Sequence, residues 1–175
     1  MVEKNGEYLF IDGYNVINAW PELIEAKSVS LETARDKLVD IMADYAAQTG
    51  INVVVVFDAH NVEGGRGGRY HINGVEVVFT REGETADNYI EKTVSSLGMG
   101  NKIRVATSDW IEQQIVMGHG AIRLSARELR NEVMALAERR RQLEERKKLE
   151  RQTLEERIDK KIWRLIMEHL KGGRM

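Results

Sequence analysis

Apolar and polar positions alternate along the chain in blocks that separate strands from helices. A short apolar run at 8–11 predicts a first strand. Ser30 is placed to cap a helix, and Leu31, Ala34, Leu38, Ile41, Met42 and Tyr45 then recur at helical spacing until Gly50 stops it. The continuous β-branched run at 53–57 suits a strand buried on both faces of a parallel sheet. A polar, glycine-laden stretch at 61–73 reads as a loop. Residues 75–79 form the third predicted strand and 85–97 the next helix, with Ile90 and Val94 facing inward. Residues 103–106 give a fourth strand, 109–117 a helix and 121–124 a fifth strand, with Ser125 capping the next element. From Ala126 the pattern stays helical to Lys171.

Strands alternating with helices predict right-handed βαβ units in a three-layer α/β/α sandwich around a mainly parallel sheet. The end of the chain departs from that pattern. Residues 138–153 carry only Leu143 and Leu149 as large apolar side chains, which predicts a solvated helix. Leu154, Ile158, Ile162, Leu165, Ile166 and Leu170 then form an amphipathic stripe. The reading is a domain at 1–133 followed by a helical extension at 134–175.

Charge sharpens this division. Residues 1–133 hold 13 basic and 20 acidic residues, a net −7, whereas 134–175 hold 13 against 8, a net +5. An acidic body with a basic tail fits a carboxylate-rich site plus a separate handle for a polyanion. The absence of cysteine excludes a disulfide framework and a thiolate zinc site. The N-terminal residues lack a signal-peptide-like apolar stretch, and the longest apolar run, at 53–57, is too short to cross a bilayer. A soluble cytoplasmic protein with no membrane partner is expected.

The chemistry lies in four acidic residues that come after four predicted strands. Asp12 ends the first, Asp58 the second and Asp109 the fourth, while Asp87 comes shortly after the third. In an open parallel sheet the carboxyl ends of the strands share one edge, so these carboxylates converge. Crowded carboxylates repel one another unless they share a proton or a cation. A hard divalent ion prefers such an oxygen-rich setting, which points to metal-dependent phosphate chemistry. Each acid also has a structural reading, as a helix cap or as a first-turn charge favoured by the helix dipole. His60, two residues beyond Asp58, is a candidate proton carrier or a solvent-facing bystander. A haloacid-dehalogenase-type phosphatase needs a second aspartate two residues after the first, where this chain has Tyr14.

The segments IDGYN, VVFDAH, FTREGETADNYIEK and ATSDWIEQQ, spread over residues 8–132, resemble the YacP-like branch of the NYN-domain ribonucleases, relatives of the PIN-domain nucleases. The resemblance implies a PIN-like fold and Mg²⁺- or Mn²⁺-dependent endonucleolytic cleavage of RNA, mRNA in particular. It also implies association with the ribosome. Carried onto this chain, it makes Asp12, Asp87 and Asp109 the catalytic, metal-binding core, with Asp58 as a further metal ligand. Asn15, Thr107 and Ser108 would support them. A non-catalytic RNA- or ribosome-binding adaptor with a vestigial acidic site is the alternative from another functional class.

Candidate RNA contacts lie outside that core. Arg66 and Arg69 in the 61–73 stretch can pair with phosphates, and Tyr70 or His71 can stack on an unpaired base. This stretch is expected to lack order without RNA. In the extension, Arg139, Arg140, Lys147 and Lys148 form a basic cluster, interleaved with glutamates that compete for it through intrahelical ion pairs.

Overall fold

The computed structural model describes residues 6–58, 67–97, 100–107 and 120–171. The first strand, β1 (Glu7–Asp12), runs directly into α1 (Gly13–Ala19) and α2 (Pro21–Val29). Helix α3 (Leu31–Thr49) then leads to β2 (Asn52–Phe57). Next come β3 (Gly68–Ile72), β4 (Val75–Phe79), α4 (Ala86–Leu97), β5 (Lys102–Ala106), β6 (Ile122–Leu124) and α5 (Ala126–Lys171).

The six strands form one sheet in the order β3-β4-β2-β1-β5-β6. All neighbours are parallel except β3 and β4. This is the expected α/β architecture, and its physical basis is the double burial of the central strands. Phe10, Val54, Val56, Val78, Ile103 and Val105 pack with Ala86, Ile90 and Val94 of α4. The alternate residues Leu9, Ile11, Val53, Val55 and Phe57 are equally buried and point to the other face, where α1 and α3 lie against β2.

Local signals set the element ends. Ser30 accepts a hydrogen bond from the Thr33 amide at 2.9 Å to begin α3, and Gly50 closes that helix in the left-handed region at φ 72°. Thr85 caps α4 through the Asn88 amide at 3.2 Å. Ser125 and Glu128 form a reciprocal capping box at the start of α5, with bonds of 2.8 and 3.1 Å. Three contacts fix the beginning of that helix on the body. Trp20 Nε1 donates to the Ala126 carbonyl at 2.7 Å, Arg130 pairs with Glu22 at 3.0 Å, and Arg104 pairs with Glu132 at 2.6 Å.

Two expectations from the sequence need correction. The stretch 61–73 is not all loop, because residues 68–72 form the edge strand β3, antiparallel to β4. The cause is Asn73-Gly74, whose φ values of 51° and 85° place both residues in the left-handed region of a two-residue hairpin turn. Residues 13–29, where the sequence pattern assigns no element, form α1 and α2. Asp12 caps the first of these helices, and Pro21 occupies the first turn of the second. The predicted helix at 109–117 lies outside the described residues.

The chain divides into two compact units, residues 1–133 and 134–175. In the second, Leu154, Ile158, Ile162, Leu165, Ile166 and Leu170 are all exposed on α5. Among the described residues no helix is long and apolar enough to cross a membrane.

Candidate active site

Asp12 is the last residue of β1 and the N-cap of α1, so its carboxylate is held where the strand turns into the helix. Its Oδ1 accepts from the Asn15 amide at 3.1 Å. Gly13 makes the turn possible. A Cβ there would lie under 3.0 Å from three atoms of the Phe57 ring. This close approach brings the β1–α1 turn against the end of β2. Phe57 in turn packs against Tyr14 and Phe79, with ring centres 5.2 and 5.4 Å apart.

Strand register does the rest. Asp12 lies beside Val56, so Asp58 emerges from the neighbouring strand at the same edge. Asp87 stands in the first turn of α4. Burial pushes the Asp12 carboxyl up from its ordinary 3.8 to about 6. The Asn15 amide opposes this rise, the negative charges of Asp87 and Asp58 add to it, and the Tyr14 amide opposes it weakly. Asp58 and Asp87, far from Asp12 in sequence, thus both act on its carboxyl electrostatically. Thr107 is buried at the end of β5, next to β1, with its amide donating to the Leu124 carbonyl at 3.1 Å. Ser108 and Asp109 lie outside the described residues, as do His60 and Arg66.

The donors present suit a hard divalent cation in kind. They are carboxylate oxygens, that of Asp12 with raised proton affinity, together with the buried Asn15 Oδ1, which has no hydrogen-bond partner among the described residues. In number the set is incomplete. No three Asp, Glu or His side chains among the described residues stand close enough to hold an ion by themselves.

The candidate RNA contacts are distributed differently from the acids. Arg69 on β3 is clamped, with its Nε 2.8 Å from Glu76 and its NH2 donating to the Tyr89 hydroxyl. Tyr70 is exposed and meets Phe79 edge-on at 6.0 Å. Arg139, Arg140, Lys147 and Lys148 are exposed on α5, where Arg140 lies 3.8 Å from Glu144 and Arg141 lies 3.1 Å from Glu138.

Two arginines near this edge went unread in the sequence. Arg35 of α3 donates to the Tyr14 hydroxyl at 3.0 Å and lies 5.8 Å from the centre of the Phe79 ring. Arg81 comes just after β4. The only sequence signal for Arg81 was its position just past a strand end, and Arg35 gave none within its helical pattern.

The family model for the YacP-like NYN domain matches residues 9–171, a span that covers the sheet, the acidic edge and α5. The chain belongs to the YacP-like NYN family. That family is nuclease-like, which supports a hydrolase acting on RNA at the family level. A curated relative, the uncharacterized protein YacP of Bacillus subtilis strain 168, is 45% identical over 167 residues, covering 95% of this chain and 87% of that protein. The crystal structure of Rae1 (YacP) from Bacillus subtilis superposes with a TM-score of 0.71 at 40% identity, covering 94% of this chain and 95% of the other. A tryptophan-to-leucine mutant of the same protein gives a TM-score of 0.65 at 47% identity, covering 76% and 78% of the two chains.

Proposed function

We propose that this protein is a metal-dependent endoribonuclease whose centre is the acidic edge at Asp12. The observation that carries the reading is the Asp12 carboxyl itself, half-buried at the end of β1, raised to about 6 and under the negative charge of Asp87 and Asp58. A desolvated carboxyl facing two further acids at one strand edge is an arrangement that functional and cation-binding sites use. Mg²⁺ or Mn²⁺ would be held by Asp12 and Asp87, with Asp58 and the Asn15 amide oxygen beside them and Asp109 added by the family resemblance. When bound, the ion supplies Lewis-acid chemistry, lowering the pKa of water and neutralising charge on a phosphodiester.

The chain's own residues contribute position. The Gly13 turn and the Asn15 amide fix the Asp12 oxygens, and the first turn of α4 fixes Asp87. Neither carboxylate depends on a long, freely rotating side chain for its placement, which favours a preorganised site. Single-stranded RNA fits the exposed Tyr70 and the cations near the same edge. Ribosome-bound mRNA is the substrate we infer, with the basic cluster Arg139, Arg140, Lys147 and Lys148 as the docking element.

The second reading, a non-catalytic RNA-binding adaptor, draws on the capping bond of Asp12, which gives that carboxylate a structural role. Incubating the purified protein with labelled single-stranded RNA in Mn²⁺, in Mg²⁺ and in chelator separates the two. Cation-dependent internal cleavage that disappears in Asp12→Asn supports the nuclease. RNA binding without cleavage under any cation supports the adaptor.

A further inference from the structure

A cleft of about 270 Å³ opens between the first residues of β3, the end of β4 and the first turns of α4. Its walls include Gly67, Arg69, Thr80, Arg81, Glu84 and Tyr89. It is just below the usual range for small-ligand clefts, about 300–1,000 Å³, and suits one nucleotide unit rather than a length of strand. Two guanidinium groups reach it in different states. Arg69 is fixed by Glu76 and the Tyr89 hydroxyl. Arg81 is exposed and makes no ion pair among the described residues. The one carboxylate on the wall, Glu84, is paired with Lys92 at 3.0 Å, which blunts its repulsion of an anion.

The cleft is built on elements that also carry the acidic centre. The Thr80 amide donates to the Phe57 carbonyl at 3.0 Å, tying the end of β4 to the residue before Asp58. Helix α4 carries Asp87 between Glu84 and Tyr89 in sequence. Gly67 holds the remaining wall close. Its φ of 65° suits glycine, and a Cβ there would lie 3.0 Å from Arg81 Cγ and 3.3 Å from the Phe79 carbonyl oxygen. A substituent on Gly67 would therefore crowd Arg81.

We propose that this cleft is a phosphate-binding subsite for the RNA strand, seating one nucleotide unit beside the acidic centre. Arg81 is the phosphate contact, Arg69, its charge shared with Glu76, a fixed guanidinium donor, and Tyr89 the side chain that orients Arg69. The inference rests on the reading of the protein as an RNA-cleaving enzyme, and deepens it by naming a substrate contact. A body of net −7 repels RNA. Local cations beside the acids are what a strand needs in order to approach them, and a clamped guanidinium loses little conformational freedom on binding.

The test is fluorescence anisotropy with a short labelled single-stranded RNA and full-length protein carrying Asp12→Asn, without divalent cation, so that binding is read without cleavage. Adding Arg81→Gln should weaken affinity about five- to tenfold and flatten the salt dependence by about 0.7 in log–log slope, one phosphate contact on a single strand. Adding Tyr89→Phe, which removes the hydroxyl that holds Arg69, should weaken it by about two- to threefold. The control is Lys102→Gln, which removes an equal charge from the opening residue of β5, at the other end of the strands.

If Arg81→Gln binds no more weakly than Lys102→Gln, the subsite is overturned. Absence of RNA binding by the parent protein overturns it too. Cleavage is scored separately on protein with Asp12 intact. A failure to cleave, alongside a selective loss of affinity in Arg81→Gln, would sink the nuclease reading while keeping the subsite.

Discussion

Replacing Asp12 by asparagine removes a half-buried charge while keeping a residue that caps helices as well as aspartate does. The expected result is a more stable protein at neutral pH, by an amount set by the carboxyl's environment. Its pKa rises from 3.8 to about 6 in the folded chain, mainly through burial. The folded state therefore holds the Asp12 proton more tightly than the unfolded state. Its contribution to stability is fully present below pH 3.8 and is lost as pH rises through about 6. A shift of roughly two units corresponds to about 3 kcal/mol at pH 8, and for a chain of this size each kcal/mol moves the melting temperature by about 2–4 °C. An asparagine at this position does not titrate. Asp12→Asn should therefore melt about 6–12 °C above the parent at pH 8 in chelator, and only about 2–4 °C above it at pH 4.5. Thermal denaturation monitored by circular dichroism at both pH values measures this directly. Mn²⁺ should then raise the parent's melting temperature more than the variant's, because only the parent offers the charged ligand. An equal shift at both pH values, or a lower melting temperature for Asp12→Asn at pH 8, would contradict the burial of a strained charge.

Three other outcomes are expected. Asp87→Asn should cut the rate of RNA cleavage at least about 100-fold while leaving the circular dichroism spectrum unchanged, and full activity would remove Asp87 from the metal site. Gly13→Ala should destabilise the fold by about 1–3 kcal/mol in urea titration, since its Cβ would overlap the Phe57 ring, and an unchanged midpoint would deny that close approach. Reversing Arg139, Arg140, Lys147 and Lys148 to glutamate should weaken co-sedimentation with ribosomes at low salt and spare cleavage of short RNA, whereas unchanged co-sedimentation would make α5 structural.

The sheet was legible because its central strands are buried on both faces, and such strands must be continuously apolar whatever their context. The edge strand escaped for the complementary reason. Tyr70 and Ile72 of β3 are exposed, Arg69 and His71 are polar, and the run begins in glycines, so no alternation announces a strand. The signal that could have found it was Asn73-Gly74, which only makes sense as a hairpin once the chain is known to double back. Helices α1 and α2 were missed because they are short and divided at Trp20-Pro21. Their burial is spread over Val16, Ile17, Leu23 and Ala26 rather than along one long stripe.

The approach of Asp58 and Asp87 to Asp12 was readable from topology, since parallel strands place their ends at one edge regardless of side-chain detail, while Asp109 lies outside the described residues. What topology could not supply was the state of each carboxyl. Asp12 and Asp87 both invite a capping explanation in the sequence, and at Asp12 the cap coexists with partial burial and a raised pKa. The capping amide of Asn15 lowers that pKa, and burial together with the two neighbouring acids outweighs it. Capping and metal binding are therefore compatible roles for the same side chain. Backbone amides, that of Asn15 first, orient the carboxylate, and further lone pairs stay available beside an amide oxygen that has no partner of its own among the described residues.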